Sequence, residues 1–379
     1  MKNNKPLKLV FDANPLANSN LTGIGVYEKR LIESLSKEEG EKIKLIGYYY
    51  DFLGKRNKTN LPKAQNIKYK RIILYPGSIV NLLRRFGIDI PLEFFTKCKS
   101  DVALFPNYLS HPSIFGTKII PIVYDMTHEL YPQFMSAKNQ KDLHRFLPKT
   151  LSRSSALITI SENTKKDIIN FYGYKKEVLV TPIPFENDVT TDLYTKGYLE
   201  NKYEFKKDYI LFVGTLEPRK NIINLVDAFC KHVQLANQYT LILCGGTDWK
   251  FDKIVKKISD AKSEGYSVIS TGFVDNKTRD SFYKFCSGVV MPSIYEGFGM
   301  PIFEALSYDK PIILSDIPVF HEVAENSAFY FDNNSLDSIG NTIWQALHAK
   351  KISDKPSYFK IKWSTISKNV FELFMKTNN

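Results

Sequence analysis

The residues with the clearest chemical potential lie in the stretch YEGFGMPIFEAL, from Tyr295 to Leu306. Its two glutamates, Glu296 and Glu304, flank a Gly-Phe-Gly turn. Glycine lets backbone N–H groups approach a ligand closely, because it adds no side chain. Carboxylates beside such a turn can accept hydrogen bonds from paired hydroxyl groups, as sugars offer them. The alternative is that one of the glutamates only caps a helix.

The residues that follow the turn predict a helix. Pro301 suits its first turn, where a missing N–H costs nothing. We expect Glu304 to lie within that first turn and Glu296 just before it. Both acids would then stand at the positive end of a helix.

A second stretch, VGTLEPRKNIINLV, combines a strand end, a glycine, a turn, two cations and a helix start. Arg219 and Lys220 would lie beside amides that point outward, an arrangement that can neutralise a diphosphate without a metal ion. The alternative is a solvated Arg-Lys pair on a loop. The position at the carboxyl end of a strand favours the binding role.

A third stretch, DANPLANSNLTGIGVYEKRL, places Gly23 and Gly25 after a strand and at the opening of a helix. Such glycines allow close approach of a ligand to helix-end amides. Only part of the dinucleotide-binding fingerprint is present, because the third glycine is missing at the required spacing. A plain strand-to-helix turn therefore remains an alternative.

Short apolar runs in the sequence predict the strands that position these three stretches. Runs that are apolar throughout indicate strands buried on both faces, hence parallel sheets covered by helices. The predicted strands cover 7–13, 43–50, 101–106, 118–125, 155–161 and a run to Pro184, then 208–214, 240–246, 266–274, 287–293 and 310–316. The helix after 155–161 should begin at Ser161 or Asn163 and stop at Gly173.

The pattern occurs twice, on either side of a polar linker at roughly 186–207. The prediction is an α/β protein with two doubly wound, Rossmann-like domains facing across a cleft. Residues 1–185 would form the N-terminal domain and residues 186–360 the C-terminal domain. Residues 361–379 would form an amphipathic helix that packs back on the first domain.

The motif GTLEPRKN followed by YEGFGMPIFEAL resembles the donor site of retaining glycosyltransferases of family 4, which have the GT-B fold. The spacing from Glu296 to Glu304 is that family's signature. TGIGVYEKRL, VYDMTHELYP and SENTKKDI also fall in the family's order, so the likeness covers nearly the full length. Mannosyl- and rhamnosyltransferases of surface polysaccharide synthesis are the members that it resembles most.

The resemblance implies a role for each site residue. Arg219 and Lys220 would hold the diphosphate of a nucleotide sugar, and Glu304 would bind the ribose hydroxyls. Glu296 would hold the transferred sugar together with the turn amides. The remaining donor-side residues are Gly23, Gly25, Thr215, Gly272, Phe273, Val274, Gly297, Phe298 and Gly299. The segment 272–274 would touch the base.

The chain departs from the family pattern in two places. Many members carry His-Asp where this chain has Tyr124-Asp125, so the familiar histidine near the reacting sugar is absent. Asp125 is then the catalytic candidate on the acceptor side, and Tyr124 and His128 are acceptor-side residues. His128 could partly replace the missing histidine or could be a polar loop residue. Thr215 stands where many members have arginine, which leaves phosphate binding to Arg219 and Lys220.

Composition limits the partners. Residues 1–185 contain 29 of the 52 Lys and Arg residues and 16 of the 40 Asp and Glu residues, which gives this half a net charge of +13. The remaining 23 basic and 24 acidic residues give residues 186–379 a net charge of −1. A basic first half predicts an anionic partner. Leu82, Leu83, Phe86 and Ile88 beside Arg84 and Arg85 indicate peripheral binding to an anionic membrane surface, with a core-packed helix carrying an exposed arginine pair as the alternative. No nucleic-acid-binding signature accompanies the charge, so that class is a remote alternative.

We expect a cytoplasmic enzyme, because the four cysteines form no C-x-x-C pair and the first residues lack a signal-peptide apolar run. No cofactor or metal is expected, since D-x-D and H-x3-H patterns are absent.

The predicted function is retaining transfer of a hexose, preferably mannose from GDP-mannose, to a lipid-linked or oligosaccharide acceptor in O-antigen or capsule synthesis. A UDP- or dTDP-sugar transferase and a GT-B sugar-nucleotide epimerase are the alternatives.

Overall fold

The computed structural model describes residues 5–186, 192–246, 251–349 and 355–378. Internal contacts divide the chain into two compact units. The first unit comprises residues 1–129, 137–183 and 361–379, and the second comprises 130–136 and 184–360. The sequence prediction places these limits at 185/186 and 360/361.

The first unit contains a seven-stranded parallel sheet with the order β3-β2-β1-β4-β5-β6-β7. Its strands are β1 (Leu7–Asp12), β2 (Ile43–Tyr50), β3 (Ile67–Ile72), β4 (Val102–Phe105), β5 (Lys118–Val123), β6 (Leu157–Thr159) and β7 (Val178–Val180). Side chains of β1 and β4, such as Leu9 and Leu104, are fully buried, as continuous apolar runs require. The sequence prediction misses β3, an edge strand in which Lys68, Lys70 and Arg71 interrupt the apolar pattern.

Six helices connect these strands: α1 (Gly23–Glu39), α2 (Gly77–Arg85), α3 (Leu92–Thr96), α4 (Thr127–Leu130), α5 (Ala137–Arg153) and α6 (Glu162–Tyr172). Both predicted ends of helix α6 are confirmed. The Ser161 side chain accepts a hydrogen bond from the Thr164 amide, and Gly173 ends the helix in the left-handed region.

The second unit contains a six-stranded parallel sheet with the order β10-β9-β8-β11-β12-β13. Its strands are β8 (Asp208–Val213), β9 (Tyr239–Cys244), β10 (Val268–Gly272), β11 (Gly288–Met291), β12 (Ile312–Ser315) and β13 (Phe329–Phe331). Its remaining helices are α7 (Lys196–Tyr203), α8 (Ile222–Lys231), α9 (Val233–Gln238), α10 (Asp252–Ser263), α11 (Asn276–Phe285), α12 (Met300–Ser307), α13 (Pro318–Ala324) and α14 (Leu336–His348). Both sheets are parallel, which confirms the predicted α/β class.

The predicted linker at 186–207 is only partly a linker. Helix α7 occupies Lys196–Tyr203 and begins at Thr195, whose hydroxyl accepts a hydrogen bond from the Tyr198 amide. Leu199 of this helix is fully buried. Residues 187–191 of the predicted linker lie outside the described part of the chain.

The last helix, α15 (Trp363–Asn378), belongs to the first unit and packs along α1. The Trp363 ring lies 5.3 Å from the ring of Tyr27, measured between centroids. The Ser34 hydroxyl donates a hydrogen bond to the Ser367 hydroxyl at 2.9 Å. One apolar face with Val370 and Phe374 is buried, and this burial drives the docking.

Candidate active site

The candidate site begins at the carboxyl end of β8, next to β11 in the second sheet. The sheet order changes direction between these two strands, and ligands of open α/β sheets bind at such a point. After β8 the chain makes one short helical turn, Pro218–Lys220, and Asn221 then adopts a left-handed conformation before α8. The Ile294 amide donates to the Arg219 carbonyl at 2.9 Å, which ties the β8 and β11 loops together.

Glu296 lies between the two predicted cations. Arg219 Nη1 donates to Glu296 Oε2 at 2.8 Å, and Lys220 Nζ forms an ion pair with Glu296 Oε1. The Ser293 hydroxyl donates to the same Oε1 at 2.7 Å. Arg219 also donates to the Tyr295 carbonyl at 2.7 Å. The structure therefore brings three of the four predicted catalytic residues into one cluster within the second unit.

The cluster keeps Glu296 ionised although only 6% of the residue is exposed. Burial by itself raises the pKa of this carboxyl group, but the charges of Arg219 and Lys220 outweigh that effect. Hydrogen bonds from Lys220 and Ser293 add to the stabilisation of the carboxylate, and the pKa of Glu296 falls to about 2. At neutral pH the site consequently holds a fixed carboxylate between two cations.

Helix α12 starts directly after the glycine turn. Gly299 has a φ of +116°, which disfavours any other residue there. A Cβ atom at this position would also lie 3.0 Å from the Phe320 ring. Pro301 occupies the first turn, as predicted. Glu304 is the fifth residue of α12, so the prediction that it lies within the first turn is wrong.

Glu304 of α12 forms a second polar group with two residues of helix α11. The Tyr283 hydroxyl donates to Glu304 Oε2 at 2.5 Å, and Arg279 Nη1 lies 3.8 Å from Glu304 Oε1. Burial and the nearby Glu304 charge raise the pKa of Tyr283 well above its usual range, so Tyr283 stays a donor. Sequence reasoning missed both α11 residues. Their four-residue spacing on a helix is the signal that could have grouped them.

The carboxyl ends of β8, β9 and β10 meet at one side of this cluster. The Gly245 amide donates to the Gly272 carbonyl at 3.1 Å, and the Leu216 amide donates to the Gly246 carbonyl at 2.8 Å. A Cβ atom at Gly245 would lie 1.9 Å from the Gly214 carbonyl oxygen, so only glycine permits this approach. Thr215 is exposed at this edge.

Two further predicted donor residues follow at the end of β10. Phe273 is 86% exposed, an unusual position for a phenylalanine in a well-packed domain. Val274 beside it is half-buried. The turn residues Gly297 and Phe298 are buried at the start of α12.

The structure places Gly23 and Gly25 in the first unit, at the start of α1. The Thr22 hydroxyl accepts a weak hydrogen bond from the Gly25 amide at 3.5 Å and caps the helix. A Cβ atom at Gly25 would lie 3.2 Å from the Pro15 carbonyl oxygen, whereas one at Gly23 would meet nothing within 4 Å. Gly25 therefore also has a packing role.

The acceptor-side candidates follow β5 in the first unit. Tyr124 is buried, and within the described part of the chain its hydroxyl has no hydrogen-bond partner. Asp125 Oδ1 accepts a hydrogen bond from the Thr127 amide at 2.9 Å, in a turn directly before α4. His128 is fully buried in α4, with Nε2 3.2 Å from the Tyr172 hydroxyl. The alternative of a polar loop residue at His128 is therefore wrong, and the possible catalytic role stays a prediction. Burial lowers the pKa of His128.

Both arginines that are predicted to face a membrane donate hydrogen bonds to aspartates of the first unit. Arg84 is only 8% exposed, and its Nε donates to Asp89 at 3.2 Å. Arg85 Nε donates to Asp142 at 3.0 Å. The expectation of an interfacial arginine is therefore wrong for Arg84, whereas the Arg85 side chain is 38% exposed and its membrane role stays a prediction. The apolar part is exposed at Leu82, Phe86 and Ile88.

Comparison with solved structures identifies the fold. The structure of HepE from Anabaena in complex with UDP and glucose superimposes with a TM-score of 0.66 at 16% identity, covering 97% of this chain and 99% of that one. Two parallel-sheet α/β units with this likeness define a GT-B protein. The predicted fold class is thus confirmed.

Comparison of sequences identifies a glycosyltransferase domain in the second half of the chain. Residues 199–363 match the profile of the family "Glycosyl transferases group 1". The chain is 26% identical to O-antigen chain mannosyltransferase B of Escherichia coli over 90% of its length and 91% of the relative's. It is 32% identical to O-antigen chain mannosyltransferase RfbU of Salmonella typhimurium over 60% and 61% of the two chains. The chain carries a group 1 glycosyltransferase domain and is a glycosyltransferase.

A longer relative matches as well. The chain is 22% identical to the serotype-specific mannosyltransferase WbdA of Escherichia coli over 94% of its own length but only 45% of that protein. The chain thus spans about half the length of this relative. Among the described residues, no helix is both long and apolar enough to span a membrane.

Proposed function

We propose that the chain is a retaining, metal-independent hexosyltransferase that moves mannose from GDP-mannose to a lipid-linked or oligosaccharide acceptor in O-antigen or capsule synthesis. The observation that carries this proposal is the cluster of Arg219, Lys220 and Glu296 at the point where the second sheet changes direction. Diphosphate recognition, sugar recognition and charge stabilisation can all be assigned to this one edge.

The donor's diphosphate would bind Arg219 and Lys220. Both side chains are half-buried, so their charges are less screened than those of surface cations. The α8 helix begins after Asn221 without a side-chain cap, which leaves its first amides available to an anion. Glu296 is close enough to both cations to compete with a diphosphate for them. We expect the donor to share the cations with Glu296 rather than to expel it.

The rest of the nucleotide sugar would extend along the same edge. Tyr283 holds Glu304 through Oε2, and Oε1, which lies 3.8 Å from Arg279 Nη1, would accept hydrogen bonds from the ribose hydroxyls. The exposed Phe273 ring at the end of β10 offers an apolar face for the base. Glu296 and the α12 amides would bind the transferred hexose.

The proposed reaction breaks the bond between the anomeric carbon and the diphosphate oxygen and forms a bond from that carbon to the acceptor oxygen. Negative charge develops on the diphosphate, where Arg219 and Lys220 stabilise it. Positive charge develops on the sugar, near the Glu296 carboxylate. The acceptor attacks on the same face, and its proton passes to the leaving diphosphate. This route requires neither a strong protein base nor a metal ion.

Mannose is preferred as the transferred sugar because two similar chains are named mannosyltransferases. A UDP-sugar is the main alternative, since the HepE structure, which has the same fold, is a complex with UDP and glucose. A dTDP-sugar transferase and a GT-B epimerase remain further alternatives.

The test combines thermal-shift measurements with GDP, UDP and dTDP with a single-turnover assay. Selective stabilisation by GDP, followed by mannose transfer from GDP-mannose in the presence of a chelator, is the expected result. Stabilisation by UDP or dTDP alone would show that GDP-mannose is not the donor and would assign the donor to that nucleotide. Conversion of the donor without an acceptor would indicate an epimerase. Loss of activity in chelator, restored by a divalent cation, would refute metal independence.

We also propose that the protein works at the cytoplasmic face of a membrane. The exposed Leu82, Phe86 and Ile88 would contact the lipid or the lipid part of the acceptor. The excess positive charge of the first half would attract an anionic surface, although Arg84 itself is buried.

A further inference from the structure

A short gap separates Arg279 of α11 from Glu304 of α12 in the second unit. Arg279 Nη1 lies 3.8 Å from Glu304 Oε1, which is too far for a hydrogen bond between nitrogen and oxygen. Within the described residues, Nη1 donates no hydrogen bond to any other group. The two opposite charges therefore face each other without closing the distance between them.

Both side chains are held by groups outside this gap. Arg279 donates to Asp280 Oδ1 from Nε at 3.0 Å and from Nη2 at 2.8 Å, and Asp280 is only 7% exposed. The Tyr283 hydroxyl donates to Glu304 Oε2 at 2.5 Å. These contacts use the other polar atoms of Arg279 and Glu304, so Nη1 and Oε1 are oriented before a ligand arrives.

Arg279 is a charged donor that a ligand can reach. Burial by itself lowers the pKa of the guanidinium group, but the charges of Glu304 and Asp280 outweigh that effect and raise the pKa of Arg279 above its ordinary value. The side chains of Arg279 and Glu304 are 31% and 20% exposed. A ligand can therefore meet a cationic donor and an anionic acceptor at the same place.

The separation of these two atoms suits a hydroxyl group. A hydroxyl group both donates and accepts hydrogen bonds, whereas an ammonium group only donates and a carbonyl or phosphate oxygen only accepts. An oxygen that donates to Oε1 at about 2.7 Å and accepts from Nη1 at about 2.9 Å separates these two atoms by roughly 4 Å. The observed 3.8 Å agrees with that value. Water can bridge the two groups in the same way until a ligand hydroxyl replaces it.

We propose that Arg279 is a nucleotide-binding residue that selects ribose over deoxyribose. Its Nη1 donates to the oxygen of a ribose hydroxyl group, and that hydroxyl group donates to Glu304 Oε1. The assignment rests on the proposed function, in which Glu304 binds the ribose of the donor. A deoxyribose without this hydroxyl group leaves both Nη1 and Oε1 without a partner, and a site built in this way rejects such a ligand.

The test measures binding of GDP, 2′-deoxy-GDP and 3′-deoxy-GDP to the full chain by calorimetry. The parent protein should bind one of the deoxynucleotides about 30-fold more weakly than GDP, because two hydrogen bonds are lost. Arg279→Leu should weaken GDP binding by about tenfold and leave binding of that deoxynucleotide within about twofold. The preference for ribose then falls to about threefold. If 2′-deoxy-GDP is the weaker ligand, the site also disfavours a dTDP donor.

Two further variants control for charge and for folding. Lys284→Gln removes an exposed positive charge from the same helix and should leave binding of all three nucleotides within about twofold. Arg279→Lys keeps the charge but loses the planar fork that binds Asp280. It should weaken GDP binding by about threefold and lower the preference for ribose to about tenfold. Should Arg279→Leu fail to fold, Arg279→Lys carries the comparison.

An equal loss of affinity for all three nucleotides in Arg279→Leu would overturn the proposal, because Arg279 would then act through its charge or its packing. So would a preference for ribose that both Arg279 variants retain. If no nucleoside diphosphate binds the parent protein, the proposed function fails and this inference fails with it. Mannose transfer by a parent protein whose preference for ribose does not depend on Arg279 would leave the proposed function intact and remove only this inference.

Discussion

Arg219 and Glu296 face each other across the gap between two loops of the second sheet, with 2.8 Å between Arg219 Nη1 and Glu296 Oε2. The two residues are far apart in sequence. Arg219 follows β8 and Glu296 follows β11, the two strands between which the sheet order changes direction. The pairing means that the residue proposed to hold the sugar also restrains the cations proposed to hold the diphosphate.

A first prediction follows from this competition. Glu296→Gln should lower kcat by at least about 100-fold, because the carboxylate that balances developing sugar charge is lost. The same change should tighten binding of the nucleoside diphosphate product by about threefold or more, because an anion beside the diphosphate is removed. Steady-state kinetics and calorimetry check the two parts. Glu264→Gln, at an exposed position of the same unit, is the control and should change neither.

The depressed pKa of Glu296 predicts a pH-dependent stability. A carboxyl group whose folded pKa of about 2 lies below the ordinary value of 4.5 stabilises the fold above pH 4.5, and that contribution disappears as the pH falls toward 2. Urea unfolding across this interval should show a steeper loss of stability for the parent protein than for Glu296→Gln. The difference should reach about 1–3 kcal/mol. Parallel curves for the two proteins would contradict the assigned pKa.

The hydrogen bond from Tyr283 to Glu304 predicts a positioning role. Tyr283→Phe should raise KM for the donor by about tenfold with a smaller change in kcat, because Glu304 loses the contact that orients it. Tyr308 supplies a matched control. Its ring stacks parallel to Tyr283, but within the described chain its buried hydroxyl has no partner. Tyr308→Phe should therefore leave KM unchanged, and equal effects of both changes would show that packing alone matters.

The exposed ring of Phe273 predicts a contribution to affinity without a contribution to folding. Phe273→Ala should weaken nucleoside diphosphate binding by about fivefold to tenfold, as the loss of one stacking aromatic does. The Tm should stay unchanged, because the ring packs on little of the protein. Val233→Ala, at another exposed apolar position of the second unit, is the comparison. Unaltered nucleotide affinity in Phe273→Ala would remove the base-binding role.

Membrane association should depend on apolar side chains rather than on Arg84. Leu82→Ser with Phe86→Ser should reduce flotation with anionic vesicles by about fivefold or more at low salt, because both side chains are exposed. Ile169→Ser, an exposed apolar residue on α6, should have no effect. Arg84→Glu should instead lower the Tm, because Arg84 is buried against Asp89. Flotation that survives the double serine change would exclude this surface as the contact.

Much of the scaffold could be predicted because its signal is local. Continuous apolar runs such as 208–214 and 287–293 identify strands buried on both faces, and both are central strands of the second sheet. The strands that escaped prediction, β3 and β13, are edge strands. Strand β3 alternates with charged residues, and β13 has three residues only. The charged residues of β3 and the shortness of β13 each remove the long continuous apolar run on which the prediction depends.

The site was predictable only where its residues lie in the same short motif. Arg219 with Lys220, and Glu296 with its glycine turn, each form such a motif, but the ion pair between the two motifs depends on strand order. Arg279 and Tyr283 escaped because no glycine or turn marks them on α11. His128 was named as an acceptor-side candidate, but its burial escaped prediction for a different reason. Its sequence neighbours are polar, whereas its burial depends on Tyr172 from another helix.

The docking of α15 onto α1 has a consequence for synthesis of the chain. The first unit is discontinuous, since residues 361–379 complete it only after the whole second unit has been made. On the ribosome, the face of α1 that carries Tyr27 and Ser34 must wait for its partner helix while the second unit emerges. Nascent chains should therefore acquire a protease-resistant second unit before the first, reversing the usual amino-to-carboxyl order of domain folding.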